Sequence, residues 1–258
     1  MKTSIAGFRV AGVATCVPAK VADNLDPANG FDPDEVRKVV QMAGVRERRV
    51  VEPGTTAADL SFEAAENLLQ RLGWERDSIS GLVFVTQSPD HFLPSSACLL
   101  QQWLGLPDSC AAFDVGLGCS GWPYGLYLAA AMLKGGGHRR ILMLHGETPS
   151  RFVDPSDHAT TLLFSDSGSA TAVELSDEGT GHFVLHTDGS VLQNLEGFLV
   201  HFGRSAEDLN RKVKINNASV STYVIENLTA GTWYFAVSAF NSGNLESSLS
   251  NVRSKVIE

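Results

Sequence analysis

No apolar run in the 258-residue chain is long enough to cross a bilayer as a helix, so the sequence reads as that of a soluble protein. Basic residues are outnumbered: 20 Lys and Arg stand against 29 Asp and Glu, a formal net charge of -9. That balance argues against a nucleic-acid surface and against a polybasic membrane patch. Cysteine is scarce, with four residues at 16, 98, 110 and 119. They form no Cys-x-x-Cys pair and no metal-ligand spacing, which excludes a structural zinc site and leaves no metal centre to expect. Nothing at Met1-Lys2-Thr3-Ser4 resembles a signal peptide, and scattered thiols without a leader fit a reducing cytoplasm.

What is present suffices for a packed core. Hydrophobic residues make up 43% of the chain and charged residues 19%, which excludes global disorder and allows one large domain or two ordinary ones. Ile5 to Val13 alternates as a strand does and closes at Pro18. Pro33 to Met42 fits a helix that starts after Asp32 and stops at Gly44; Thr56 to Leu72 fits a second, stopped by Gly73. Val45 to Val51 reads as a short charged strand or a solvated face. Gly81 to Thr86, Ala111 to Val115 and Arg140 to His145 are continuous apolar runs, the mark of strands covered on both faces. Ser95 to Leu104 reads as a helix between the first two. Strands alternating with helices predict an α/β unit, a mostly parallel or mixed sheet with helices on both faces.

In such sheets chemistry collects at the carboxyl ends of strands. The run Ala111-Ala112-Phe113-Asp114-Val115 leads into Gly116-Leu117-Gly118-Cys119-Ser120-Gly121, and an aliphatic helix follows from Tyr124 to Lys134. A thiol at that turn faces the amides and the positive dipole end of the helix, both of which favour negative charge. Cys119 is therefore the candidate nucleophile, against the commoner fate of a buried structural cysteine. A hydrolase elbow is excluded, because it needs glycine two residues before the nucleophile and Leu117 stands there. His145 and His158 fall near the strand-end face and read as ordinary strand-end or loop histidines.

Near Thr187 the texture changes. Short alternating segments follow at 197–203, 212–216, 222–225, 232–240 and 251–257, separated by turn residues such as Asn216-Asn217 and Ala230-Gly231. This pattern predicts an all-β sandwich and divides the chain into 1–187 and 188–258. Phe198, Phe202, Trp233 and Phe240 read as the core of this part, not as an exposed binding patch.

The first part resembles the N-terminal half of a β-ketoacyl-acyl-carrier-protein synthase III, a condensing enzyme of thiolase fold. The stretches that carry the resemblance are Gly44-Val45-Arg46-Glu47-Arg48-Arg49, Leu93-Pro94-Ser95-Ser96-Ala97-Cys98, Ala112-Phe113-Asp114-Val115 and Gly118-Cys119-Ser120-Gly121. Asp154-Pro155-Ser156-Asp157, Phe164-Ser165-Asp166-Ser167-Gly168-Ser169-Ala170 and His186-Thr187-Asp188-Gly189-Ser190 extend it. The resemblance implies acyltransferase chemistry of fatty-acid or polyketide type, in which Cys119 takes an acyl group from a thioester. It implies acyl-CoA or acyl-carrier protein as substrate and partner, no cofactor, and a homodimer.

The same resemblance gives roles to two further residues. Arg151 matches an arginine that contacts the nucleotide of coenzyme A. Leu93 stands where the family often has a Phe that floors the partner subunit's acyl pocket. The family's catalytic His and Asn belong to the second half of its fold, and none of the seven histidines here stands in their sequence context. Residues 188–258 resemble the later strands of a fibronectin type III domain, through Tyr223 to Val237 with the pair Leu228 and Tyr234, and Asn241 to Ser247. Asp188-Gly189-Ser190 suits both families and is the expected join of a chimeric chain, whose non-catalytic alternative is a binding protein using its β tail.

Overall fold

The computed structural model describes every residue except 156, 188–194, 218, 219, 221, 222, 242, 244, 248, 251 and 258. The expected join therefore lies outside the described residues. The chain separates into two compact units, Met1–His186 and Thr187–Glu258.

The first unit is built on a five-stranded sheet of order β1-β7-β6-β4-β5, with β1 at Lys2–Cys16, β4 at Gly81–Val85, β5 at Ala111–Val115, β6 at Arg140–Glu147 and β7 at Ser167–Val184. Strands β5, β4 and β6 are parallel, whereas β7 runs antiparallel to both β6 and β1. The sheet is therefore mixed, with two parallel and two antiparallel pairings, not mostly parallel. A short antiparallel ladder pairs β2 (Val21–Asp23) with β3 (Glu47–Arg49), so the charged run at 45–51 does contain a strand.

The helices start and stop for identifiable reasons. Helix α1 (Pro33–Ala43) begins with Asp32 accepting from the amides of Asp34 and Glu35. Helix α2 (Ala57–Leu72) begins with a capping box between Thr56 and Asp59. Both end on a left-handed glycine, Gly44 and Gly73. Helix α3 (Ser96–Trp103) follows β4, α4 (Gly121–Lys134) follows β5, and the four-residue α5 (His158–Thr161) follows β6.

Alternation along the covered strands sorts the core into two layers. Leu82, Phe84, Leu142 and Leu144 pack with Leu68, Leu69 and Leu100 of α2 and α3. Val83, Val85, Ile141 and Met143 pack with Ala129, Ala130 and Leu133 of α4. The sheet thus has helices on both faces. Among the described residues no helix is long and apolar enough to cross a membrane.

The second unit holds one antiparallel sheet of order β11-β10-β8-β9, with β8 at Leu195–Gly203, β9 at Arg211–Ile215, β10 at Gly231–Asn241 and β11 at Arg253–Ile257. The described residues do not form the expected sandwich, because this unit has a single sheet among them. The reason lies in the stretch read as a strand at 222–225. Its described residues form no ladder, and Tyr223 and Val224 are 49% and 73% exposed. Phe202, Trp233 and Phe240 are buried and Phe198 is half-buried. Trp233 lies under Arg204 and Arg211, at 4.2 and 5.0 Å from the guanidinium carbons to the ring centre, and donates its Nε1 to the Thr229 carbonyl at 2.8 Å.

Candidate active site

Because β4, β5 and β6 run parallel, their carboxyl ends open on one edge of the sheet. The loops leaving those ends carry Leu93, Cys119 and Arg151 respectively. The turn that holds Cys119 is tight. Leu117 donates its amide back to Val115 at 3.0 Å, and Gly121 donates to Gly118 at 2.7 Å. Cys119 stands exposed between those bonds, with Ser120 as N-cap of the 14-residue helix α4.

The other thiols differ in setting. Burial pushes the Cys110 thiol up to about 11. The Cys16 thiol is raised by burial and by the Glu63 charge. Cys98 is exposed in the first turn of α3, its sulfur 3.3 Å from the hydroxyl of Ser95, the residue before the helix. Among the described residues no three His, Cys, Asp or Glu side chains cluster as a metal site requires.

Two polar side chains that sequence reasoning did not select flank the cysteine turn. A Cβ on Gly118 would fall 2.3 Å from Gln87 Oε1, so the Gln87 amide rests against the residue before Cys119. A Cβ on Gly121 would fall 2.4 Å from Val85 Cγ1 and 3.7 Å from His145 Cε1, so the His145 ring lies against the first residue of α4. His145 shares the α4 face of β6 with Met143, by the two-residue period of the strand. Burial pushes its imidazole below the usual range, and the Glu147 charge partly offsets this.

Glu147 ties the loops together. Its Oε1 accepts from the Gln87 amide at 2.6 Å and its Oε2 from the Ser88 hydroxyl at 2.8 Å; the Ser88 hydroxyl in turn accepts from Thr148 N at 3.2 Å. Asp114 of β5 caps α3 across the sheet, accepting from Ser96 N at 2.8 Å and Ala97 N at 2.7 Å. Burial raises its carboxyl, the two amide bonds work against that, and Asp90 adds to it. The signal for Gln87 and His145 was their position just past, or at the end of, a buried strand. Position alone does not tell a site residue from a strand-end residue.

Arg151 is exposed at the end of a short 3-10 turn, Pro149–Arg151, with its guanidinium carbon 5.4 Å from the centre of the Phe152 ring. That turn is anchored from below by Asp166, which accepts from Ser150 N and the Ser150 hydroxyl. Leu93, 89% exposed, and Phe92, 94% exposed, form an apolar loop before the cis Leu93–Pro94 bond. His158 opens α5.

A mixed sheet sandwiched by helices, with an exposed cysteine between the edge strand β5 and a long apolar helix, defines a thiolase-like α/β unit. Comparison with known proteins makes the likeness specific. Residues 113–189 match the family model for 3-Oxoacyl-[acyl-carrier-protein (ACP)] synthase III. A Beta-ketoacyl-[acyl-carrier-protein] synthase III of Serratia proteamaculans is 36% identical over 183 residues, 70% of this chain and 57% of the relative. A second, Beta-ketoacyl-[acyl-carrier-protein] synthase III 2 of Streptomyces coelicolor, is 37% identical over 183 residues, 71% of this chain and 54% of the relative. The crystal structure of a 3-oxoacyl-(acyl-carrier protein) synthase from Burkholderia xenovorans LB400 superposes with a TM-score of 0.72 at 44% identity, covering 74% of this chain and 55% of that one. The chain therefore spans about half the length of the relatives it matches.

Proposed function

We propose that the first unit is an acyl-accepting unit of β-ketoacyl-ACP synthase III type, with Cys119 as the nucleophile. The observation that carries this reading is the exposed Cys119 at the strand-to-helix turn, inside the 113–189 match to the synthase III family. The donor is an acyl thioester of coenzyme A or of acyl-carrier protein, and no cofactor is needed. A thiolate suits the step, since it is a good nucleophile and its thioester stays activated for a later carbon–carbon bond. Backbone amides at the start of α4 are the natural donors to the tetrahedral oxyanion. Arg151 is the proposed contact for the donor nucleotide, its guanidinium free to stack beside the exposed Phe152 ring. The apolar Phe92–Leu93 loop is the proposed homodimer contact, with Leu93 reaching the partner's acyl pocket.

Condensation is a separate matter. The family's His and Asn act together with the cysteine, and loss of groups that act as one unit costs orders of magnitude. None of the seven histidines stands in that context, so the 258-residue chain is expected to acylate and not to condense. Intact-mass spectrometry after incubation with acetyl-CoA, or with acetyl-carrier protein, tests both parts. A single acetyl adduct on the native chain, absent from Cys119→Ala, is expected, with no β-ketoacyl product on adding malonyl-carrier protein. No adduct, or an equal adduct on Cys119→Ala, rejects the reading.

The second unit is read as part of a fibronectin type III-like module. The order β11-β10-β8-β9 supports this, since it is that of the G-F-C sheet of an immunoglobulin-like sandwich with one further C′ strand. A cytoplasmic setting is proposed from the free thiols and the family likeness.

A further inference from the structure

The Cys119 turn lacks an assigned base, and the second half of the family's fold is where one would be sought. This chain carries an imidazole of its own beside the turn. Strand register places it there: Val85 of β4 pairs with both Val115 of β5 and His145 of β6, so His145, two residues before the end of its strand, lies level with the residue from which the Cys119 turn departs. Its Cε1 comes within 3.7 Å of where a Gly121 Cβ would be, two residues from Cys119. The ring thus stands at ordinary contact distance from that position, while the close approach that requires glycine there is to Val85 Cγ1, at 2.4 Å. The residue is half-buried, and the Glu147 charge acts on its ring. A half-buried imidazole against the turn that carries an exposed thiol is an arrangement that nucleophilic cysteine chemistry uses.

We propose that His145 is the general base for Cys119. The inference rests on the acyl-accepting reading of Cys119. In the step, the thiol S–H bond breaks and its proton goes to an imidazole nitrogen of His145. The Cys119 sulfur bonds to the thioester carbonyl carbon, whose C–S bond to the donor then breaks. The departing thiolate recovers the proton from the imidazolium, so no oxidant or further reactant is consumed.

The groups around His145 fit a neutral base at neutral pH. Strands β4 and β7 present Val85 and Ser169, α4 presents Gly121, and among the described residues the charge acting on the ring is Glu147 on its own strand. The Glu147 carboxylate is itself engaged by Gln87 N and the Ser88 hydroxyl.

The test is the pH–rate profile for alkylation of Cys119 by iodoacetamide, an uncharged reagent that needs no acyl-donor recognition. It is read by peptide mass spectrometry in the native chain, His145→Asn and His145→Gln, each checked for native circular dichroism. The native profile is expected to show an inflection in the imidazole range. Both variants are expected to lose it and to react about tenfold more slowly at pH 7, within the span of general-base effects. Profiles that coincide with the native one in a folded variant overturn the proposal. The two readings fail separately: an alkylation rate that depends on His145 without any acetyl adduct on the native chain sinks acyl acceptance and keeps the pair. An acetyl adduct with alkylation indifferent to His145 does the reverse.

Discussion

Gly168→Ala is expected to destabilise the first unit by about 3 kcal/mol or more, at or beyond the upper end for overpacking a core. The size follows from what the new methyl would meet. A Cβ at Gly168 falls 2.4 Å from the Leu60 carbonyl carbon, 2.5 Å from Ser61 N and 2.6 Å from the Leu60 oxygen. All three are backbone atoms of α2, so no side chain can swing away. Nor can the helix move off freely, because Ala57, Ala58, Ala64, Ala65, Leu68 and Leu69 pin its inner face to the sheet. Gly146, paired with Gly168 across β6 and β7, meets the same helix at 2.3 Å from Ser61 Oγ and 2.6 Å from the Ala57 oxygen. The measurement is amide exchange at the buried strand β4, which reports opening of this unit without relying on a single transition for a two-unit chain. Exchange there should quicken by about a hundredfold or more, the equivalent of ~3 kcal/mol. Gly116→Ala is the control, since a Cβ there meets nothing within 4 Å and should change little. Equal exchange rates in the two variants would remove the case for close helix–sheet approach at Gly168.

That contact also shows what the sequence could and could not disclose. The inner strands β4 and β6 were legible because burial on both faces demands unbroken apolar runs, and Gly81–Val85 and Arg140–Glu147 supply them, whereas Ala111–Val115, read as covered on both faces, is an edge strand and only half-buried. The helices were legible through their ends, where Asp32, Thr56, Gly44 and Gly73 satisfy orphan backbone groups. The 18-residue β7 was not. Its sequence, Ser167 to Val184, is rich in Gly, Ser, Thr and Ala, because its inner residues must be small to admit α2 and its outer half pairs with β1 in solvent. Neither condition leaves a period-two apolar signal. Without β7 the sheet read as mostly parallel, since the antiparallel pairings all belong to that strand. In the second unit the alternating pattern did predict β8, β9 and β10, yet it also predicted a strand over 222–225. Alternation marks a residue that can pair, and pairing there needs a neighbouring strand that the described residues do not offer.

The candidate site divides in the same way. The place of Cys119 at a strand-to-helix turn was legible because an apolar run, a glycine-rich break and an apolar helix follow one another in the sequence. Gln87, His145 and Glu147 were not, because their proximity arises from register between strands more than fifty residues apart in sequence. Single-residue chemistry is the same at any strand end. Only the parallel alignment of β4, β5 and β6 brings those ends together.

The second large effect is expected at Asp166, the fully buried carboxylate beneath the Arg151 turn. It accepts from Val51 N at 2.8 Å, from Ser150 N at 3.1 Å and from the Ser150 hydroxyl, while its own amide donates to the Arg49 carbonyl at 2.8 Å. One side chain thus joins the β2–β3 ladder region, the turn that carries Arg151 and the entry to β7. The buried Arg48 guanidinium, whose Nε donates to Asn24 Oδ1 at 2.7 Å, is also favoured by the Asp166 charge. Asp166→Ala leaves three donors without their acceptor and removes a charge that offsets the burial of that guanidinium. Each unsatisfied buried donor costs about 1–3 kcal/mol, and breaking a buried ionic network costs about 3–5 kcal/mol. These costs overlap, so a total loss of about 3–5 kcal/mol is the expected result. Asp166→Asn keeps one acceptor oxygen but turns an N–H towards groups that are themselves donors, so it should recover only part of the loss. Urea midpoints of the two variants should therefore fall in the order native, Asn, Ala. Limited proteolysis should meanwhile open the 149–165 segment first, because the bonds to Ser150 are the ones lost. A midpoint for Asp166→Ala within experimental error of the native chain would mean that the turn under Arg151 is held by its own 3-10 bonds, and that Asp166 does not organise the edge of the site.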